Sequence, residues 1–332
     1  MQLDDDIIRT FGIGRVFKDS AGRVNSLDFH RSEELLVTAG DDDSIRLYNT
    51  LTGEPAKSVY SRKYGVANIC FTHDSASVIY TSTKGRDHGI RYHSLHDNKY
   101  IRYFTGHTER VTGLCLSPST DLFLSSGEDC AVRMWDLRAN KCEGLMETPT
   151  RSAIAFDQQG LIFTVACDKG LMRLYDCRNY QIGPFQTFLI EQELTNTMPV
   201  ASVTFSNDGK LMAVSYPGRM YLMDALEGTV KAVFDNGVDP NTGAALEASF
   251  SPDSRYLISG TVDNSIAVWS VEKHEAVAQW TGVKALNSAL KWSPRRMLVA
   301  SADSVLALWV PNKKLLQSTG RWPVIDAYAG AR

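Results

Sequence analysis

Residues 106–136 read GHTERVTGLCLSPSTDLFLSSGEDCAVRMWD. Three strand-like runs lie in this stretch. VTGLCL (111–116) is the first, and Ser117-Pro118 turns it. LFLSS (122–126) is the second, Gly127-Glu128-Asp129 turns it again, and VRMWD (132–136) is the third. Ser, Pro, Gly and Asp are turn formers. The first run has six counterparts: VNSLDF (24–29), VANICF (66–71), RSAIAF (151–156), VASVTF (200–205), ALEASF (245–250) and NSALKW (287–292). They recur every 40–50 residues or so, the spacing of a repeat architecture in which one small sheet cannot bury its own faces and stacks on its neighbours. Seven units of about 40–45 residues occupy nearly all of the 332 residues. The expected fold is therefore all-β and a single unit, although length alone allows two or three domains.

The third run recurs as IRLYN (45–49), IRYHS (90–94), MRLYD (172–176), MYLMD (220–224), IAVWS (266–270) and LALWV (306–310). A turn aspartate precedes it at Asp42, Asp87, Asp129, Asp263 and Asp303. Asp168 is offset by one, and copy five has Tyr216-Pro217-Gly218 instead. Asp74, Asn207-Asp208-Gly209, Ser251-Pro252-Asp253 and Ser293-Pro294 supply further turns.

The order GH … SP … SSGED … VRMWD resembles the WD-repeat signature. The resemblance implies one seven-bladed β-propeller over residues 1–318, with blades starting near 24, 66, 111, 151, 200, 245 and 287. In that family a His, Asp, Ser and Trp bind one another inside a blade, here His107, Asp129, Ser125 and Trp135. A tight turn in a buried sheet leaves polar groups that need partners, and such a chain pairs them. The role is structural, whatever its likeness to a catalytic triad. The family's last blade takes its outer strand from the N-terminal segment, which Arg15-Val16-Phe17 would provide, closing the ring and removing sheet edges. The tail 319–332 falls outside the repeat and is expected to fray, unless Trp322-Pro323 docks locally.

Composition agrees with a soluble globular chain: 43% hydrophobic and 22% charged. A net charge of −3 does not favour generic nucleic-acid binding, so any such contact needs a local patch. No stretch approaches the ~20 apolar residues of a membrane span. The N-terminus carries Asp4, Asp5 and Asp6 and lacks the apolar run of a signal peptide. Six cysteines, Cys70, Cys115, Cys130, Cys142, Cys167 and Cys177, form no CxxC pair. They read as reduced thiols of a cytosolic or nuclear protein.

Two phrases answer to no repeat consensus: YSRKYGV (60–66) and SLHDNKYIRYF (94–104). With DDDSIRL (41–47), FSNDGK (205–210) and LEASFSPD (246–253), they closely resemble the WD-repeat-protein-eighty-two family, whose yeast counterpart is the Swd-two subunit. The similarity covers the chain apart from residues 319–332, with departures at 193–199, at 235–243 and in blade four. The resemblance implies a non-catalytic nuclear scaffold, chromatin-associated, with a cytoplasmic fraction allowed. Its implied partners are a SET-domain methyltransferase in a COMPASS-type histone lysine methyltransferase complex, the RNA polymerase II tail, and a PNUTS-type phosphatase subunit or cleavage factor in transcription termination.

In a propeller, the loops entering each innermost strand share a face with those joining the second and third strands. Arg23, Arg62, Lys63, Lys84, Arg86, Arg110 and Arg151 fall on that face in blades one to four. Blades six and seven offer Asp235 and Asp239, with Lys284 the exception. A basic sector of this kind favours an acidic or phosphorylated peptide, with Tyr64 as an aromatic anchor. The competing reading is solvated loop chemistry, since Asp41, Glu109 and Glu128 share the face. In the outer strand of blade two, Tyr100, Arg102 and Tyr103 form one set and Ile101 and Phe104 the other. They make either a side-on partner site or protection of a strand edge.

Catalytic signatures are absent. His88, His93 and His96 lie near Asp87, but their spacing fits no zinc pattern, and His93 takes the slot filled by Trp135. Gly12-Ile13-Gly14 lacks the rest of a phosphate loop, and neither GxSxG nor HExxH occurs. The expectation is no enzyme, no metal and no cofactor, and no small-molecule substrate, sequence-specific nucleic acid or membrane. The alternatives are another WD adaptor, such as a ubiquitin-ligase substrate receptor, and a propeller enzyme built on channel carboxylates.

Overall fold

The structure, a computed structural model, describes residues 3–85, 87–190, 199–237, 246–283 and 289–313. Seven four-stranded antiparallel sheets form the blades of a β-propeller. In six of them the strands pair in sequence order from the axis to the rim. Blade three, for example, runs Val111–Leu116, Leu122–Gly127, Ala131–Asp136 and Cys142–Glu147. Second strands are buried almost throughout, whereas outer strands are largely exposed, with one or two buried residues each. The core therefore lies between blades rather than within one. Phe104, Phe123 and Trp135, for instance, pack where blades two and three meet.

Blade seven takes its outer strand from the N-terminus. Phe11–Phe17 pairs with Leu306–Pro311, from Phe11 opposite Pro311 to Phe17 opposite Leu306. The register shifts between Ile13 and Arg15, and a Cβ on Gly14 would run into Val310. The strand begins before the Arg15-Val16-Phe17 segment, and a one-turn helix, Asp5–Arg9, precedes it. Asp4 caps that helix by accepting from the Ile7 N–H at 2.8 Å. Leu3, Ile7 and Ile8 are buried with Phe11, Trp280 and Trp292. The acidic run thus starts a tertiary strap. Among the described residues no helix is long and apolar enough to cross a membrane.

The two irregular turns have local causes. Pro217-Gly218 makes a two-residue hairpin with Tyr216 opposite Arg219, and Gly218 has φ +86°. Pro217 has no N–H, so a turn this short leaves only that of Gly218 for an aspartate to hold. Asp168 instead enters a 3₁₀ turn and accepts from the Val200 N–H at 2.8 Å, so the offset residue joins blade four to blade five.

Candidate partner-binding surface

His107, Asp129, Ser125 and Trp135 form one buried hydrogen-bonded chain. His107 Nδ1 lies 2.9 Å from Asp129 Oδ1, His107 Nε2 lies 2.7 Å from Ser125 Oγ, and Trp135 Nε1 donates to Ser125 Oγ at 2.8 Å. The indole N–H only donates, which leaves the Ser125 hydrogen for His107 Nε2. Burial holds the imidazole below its usual value although Asp129 opposes this. The ring is therefore neutral at pH 7, with its Nδ1–H donated to Asp129. The chain is satisfied internally and points at nothing outside the blade.

The cations differ in what they meet. Arg23 is paired through Nε with Asp303 at 2.6 Å, and Lys84 through Nζ with Asp43 at 2.5 Å. These are salt bridges across neighbouring blades, so the basic sector is weaker than its residue count suggests. Arg151 lines the central channel, a space of about 900 Å³. Arg110 is exposed, while Arg86, Asp239, Lys284 and the tail 319–332 lie outside the described residues. Arg62 and Lys63 make no ion pair among the described residues and lie over tyrosine rings. Arg62 is 5.4 Å from the Tyr60 ring centre and Lys63 is 4.9 Å from that of Tyr64. Of the acidic residues on this face, Asp41 accepts from Asn25 Nδ2 at 2.9 Å.

The two phrases without repeat consensus fold onto each other. The Tyr64 ring lies edge-to-face with Tyr100 at 5.3 Å and with Tyr103 at 6.1 Å, and Tyr100 lies 5.6 Å from Tyr103. His93 stacks on Tyr100 at 4.7 Å. Ser61 receives a hydrogen bond from the Tyr80 hydroxyl at 2.9 Å and lies 3.3 Å from the Tyr100 hydroxyl. Arg91 sits beneath, 1% exposed, with its guanidinium 4.0 Å from the Tyr64 ring centre and 5.0 Å from that of Tyr103. Arg91 Nη2 is paired with Asp87, while Nε and Nη1 find no hydrogen-bond partner among the described residues. Two tyrosine rings stand in for acceptors there, a cation–π arrangement. The site is an aromatic surface with a buried cation below and Lys63 at its edge.

A register shift builds this surface. Tyr103 pairs with Arg91, Tyr92 with Arg102, and His93 with Tyr100, so Ile101 is the extra residue of a bulge. The bulge puts Tyr100 and Tyr103 on the face they share with Arg91 and His93. Arg102 turns the other way and donates to Asn140 Oδ1 at 2.8 Å. The simple grouping of Tyr100 and Tyr103 with Arg102 therefore fails. Arg91 was missed by sequence reading, although its signal was present: arginine occupies the same third-strand position at Arg46, Arg91, Arg133 and Arg173.

Of the three clustered histidines, His93 is buried and His96 offers its carbonyl to Lys57 Nζ at 2.7 Å. Among the described residues no group of three His, Cys, Asp or Glu is placed to hold a metal. In the channel, Asp28 accepts from Lys291 Nζ at 2.9 Å and from the Phe71 N–H at 2.8 Å, and Glu247 accepts from the Leu290 N–H at 3.3 Å. Both carboxylates are tied to neighbouring blades.

The family described as "WD domain, G-beta repeat" matches residues 13–49, 98–136 and 241–270. The chain is 40% identical to Protein ANTHESIS POMOTING FACTOR 1 of Arabidopsis thaliana, over 94% of each chain. It is 38% identical to WD repeat-containing protein 82 of Drosophila melanogaster, over 95% of this chain and 98% of that one. It is 35% identical to the Set1 complex component swd2 of Schizosaccharomyces pombe, over 75% of this chain and 71% of that one. With a closed seven-bladed ring and relatives of this similarity over most of their length, the chain belongs to the WD-repeat family of WD repeat-containing protein 82 and Swd2.

Proposed function

We propose that this protein is a non-catalytic scaffold subunit of a nuclear, COMPASS-type histone lysine methyltransferase complex. In this reading it brings the SET-domain methyltransferase to transcribing RNA polymerase II. It also serves a phosphatase or cleavage–polyadenylation assembly in transcription termination. The relative named a Set1 complex component supports the first part, and the wider family resemblance motivates the rest. The observation that carries the proposal is the joining of residues 60–66 to 94–104 around Arg91. Sequence that no blade needs has built one surface, aromatic at its centre and basic at its edge. Aromatic residues with arginine are the usual anchors of protein interfaces, and the cations at the edge favour an acidic partner segment.

Affinity purification of the full chain from nuclear extract tests this. Methyltransferase-complex subunits are expected with the wild type, and their recovery is expected to fall sharply with Tyr64→Ala. Recovering neither these nor phosphatase or cleavage subunits with the wild type would sink the proposal.

A further inference from the structure

Only one residue of the run Asp41-Asp42-Asp43 fills the repeat's turn position. Asp42 accepts from Ser44 Oγ at 2.5 Å and from Arg46 Nη2 at 2.9 Å, both within blade one. Asp43 has φ +63°, a left-handed conformation that aspartate tolerates better than most residues. Its acceptors serve residues outside that turn. The Asp43 carbonyl accepts from the Ser61 N–H at 2.8 Å, and Oδ2 accepts from Lys84 Nζ of blade two at 2.5 Å.

Ser61 and Lys84 lead to the same residue. The Ser61 carbonyl accepts from the N–H groups of Tyr64 at 3.1 Å and Gly65 at 2.7 Å. The Tyr64 carbonyl accepts two hydrogen bonds in turn, from the N–H of Thr83 at 2.9 Å and from that of Lys84 at 2.8 Å. Gly65 has φ +68°, and a Cβ there would run into Thr83 Oγ1, so the phrase 60–66 lies in close contact with Thr83. Asp87, in the same connection between the second and third strands of blade two, holds Arg91 beneath the Tyr64 ring. This connection therefore grips Tyr64 by its backbone, and Asp43 ties the connection to blade one through Lys84.

We propose that Asp43 and Lys84 form a clasp that positions Tyr64, so that Lys84 acts on the partner through the tyrosine rather than by touching it. This rests on the reading of the tyrosine surface given above. The charge of Lys84 is already met by Asp43, whose side chain is only 15% exposed, whereas Lys63 lies over the Tyr64 ring with no ion pair among the described residues. With the clasp closed, the Tyr64 backbone is set before a partner arrives, and binding need not order it. With the clasp open, the Thr83 and Lys84 N–H groups can leave Tyr64, and binding must first order the connection. The Lys84 side chain is half exposed, so salt weakens the clasp as well as the contacts at the edge of the surface.

Hydrogen exchange of the purified full chain, read by mass spectrometry on peptides covering 60–66 and 82–89, tests this beside affinity purification from nuclear extract. Lys84→Ala removes the cation. Asp43→Gly removes the carboxylate and tolerates the positive φ. Lys84→Arg keeps the ion pair. The thermal melt is expected to stay nearly unchanged in all three, because an ion pair half in water adds little to global stability. In Lys84→Ala and Asp43→Gly both peptides should exchange about tenfold faster through local opening. Recovery of methyltransferase-complex subunits should fall about three- to tenfold, the scale of ordering one or two side chains on binding. Combining the two changes should add little, since they break one bond. Lys84→Arg should keep both the protection and the recovery. Exchange at the wild-type rate in Lys84→Ala overturns the proposal. So does recovery lost in Lys84→Arg while the peptides stay protected, because Lys84 would then be a contact of the partner. Faster exchange with full recovery leaves the clasp standing and removes the tyrosine surface from the function proposed above. If the wild type recovers no subunit, that function fails, and the exchange rates still decide the clasp.

Discussion

Blades two and three fill the same positions with different chemistry. In register, Val78 faces His93 and Tyr80 faces Arg91 in blade two, where Phe123 faces Trp135 and Ser125 faces Arg133 in blade three. Asp87 precedes Arg91 as Asp129 precedes Arg133. Blade three commits its aspartate to His107 and closes the polar chain inside the sheet. Blade two has no such histidine, so Arg91 takes the aspartate and its guanidinium lies under Tyr64 and Tyr103. One blade keeps its polar groups for itself, and the other brings a cation to just beneath the surface. Conformity to the repeat goes with a polar chain closed inside the sheet, and departure from it with the surface proposed above for partners.

The strongest way to break this comparison is Trp135→Ala. Trp135 is fully buried against Phe104 and Phe123 and donates to Ser125. Truncation of such a residue costs about 3–5 kcal/mol. Urea unfolding should show a loss of that size, while the folded fraction keeps its partner affinity. Lost affinity without lost stability would mean that blade three is more than a support.

Arg91→Ala comes next. The ion pair has one deeply buried partner, but Asp87 is 42% exposed and water can replace the guanidinium. The expected loss is therefore about 1–2 kcal/mol, within the ordinary range for a lost side-chain network. Combined with Tyr64→Leu, the two changes should be non-additive by about 0.5–2 kcal/mol, the scale of a partly desolvated cation–π contact. Additive effects would mean that the stacking contributes nothing.

The fold was legible because its signal repeats: each turn aspartate and each apolar run is read several times. The His107 chain was legible because all four of its side chains belong to one repeat signature. The tyrosine surface was only half legible. Both phrases stood out, but nothing in their letters reveals the bulge at Ile101 that turns Tyr100 and Tyr103 to one side. Nor do single charges reveal that Arg23 and Lys84 are neutralised by aspartates of other blades or loops. The Asp5–Arg9 helix was hidden for another reason. Five residues are far below the length at which a helix is stable alone, so it exists only because Leu3, Ile7 and Ile8 find the blade-six surface.

A smaller effect, a dependence on pH, is one the two blades share. Burial lowers the imidazole pKa of His107, and that of His93, from the unfolded value of 6.5. As pH falls below about 6.5, the unfolded chain takes up these protons first, so stability declines until the folded-state values are passed. Asp42 acts in a lower window. Although burial opposes it, hydrogen bonds from Ser44 and Arg46 bring its carboxyl down to about 2, so its contribution is lost between 3.8 and about 2. Urea midpoints at a series of pH values should show the histidine decline first, and His107→Gln should flatten it from a lower starting stability. An unchanged slope would mean that His107 keeps its proton in the fold, with the Asp129 pair ionic.

The smallest effect on stability, and the most informative about function, is expected of Arg62→Glu with Lys63→Glu. Neither side chain makes an ion pair among the described residues, and both lie at the surface over tyrosine rings. The melt should therefore move by less than about 0.5 kcal/mol. Affinity for an acidic partner segment should fall, and the remaining binding should depend less on salt, because cations at an interface edge act mainly through screened attraction. Arg23→Glu is the matched control. Arg23 is neutralised by Asp303, so reversing it should disturb the blade one–seven seam and lower stability more than affinity. If the two changes behave alike, the charge of the whole face governs binding. If only the Arg62 and Lys63 change weakens the partner, recognition is confined to the place where the chain departs from its repeat.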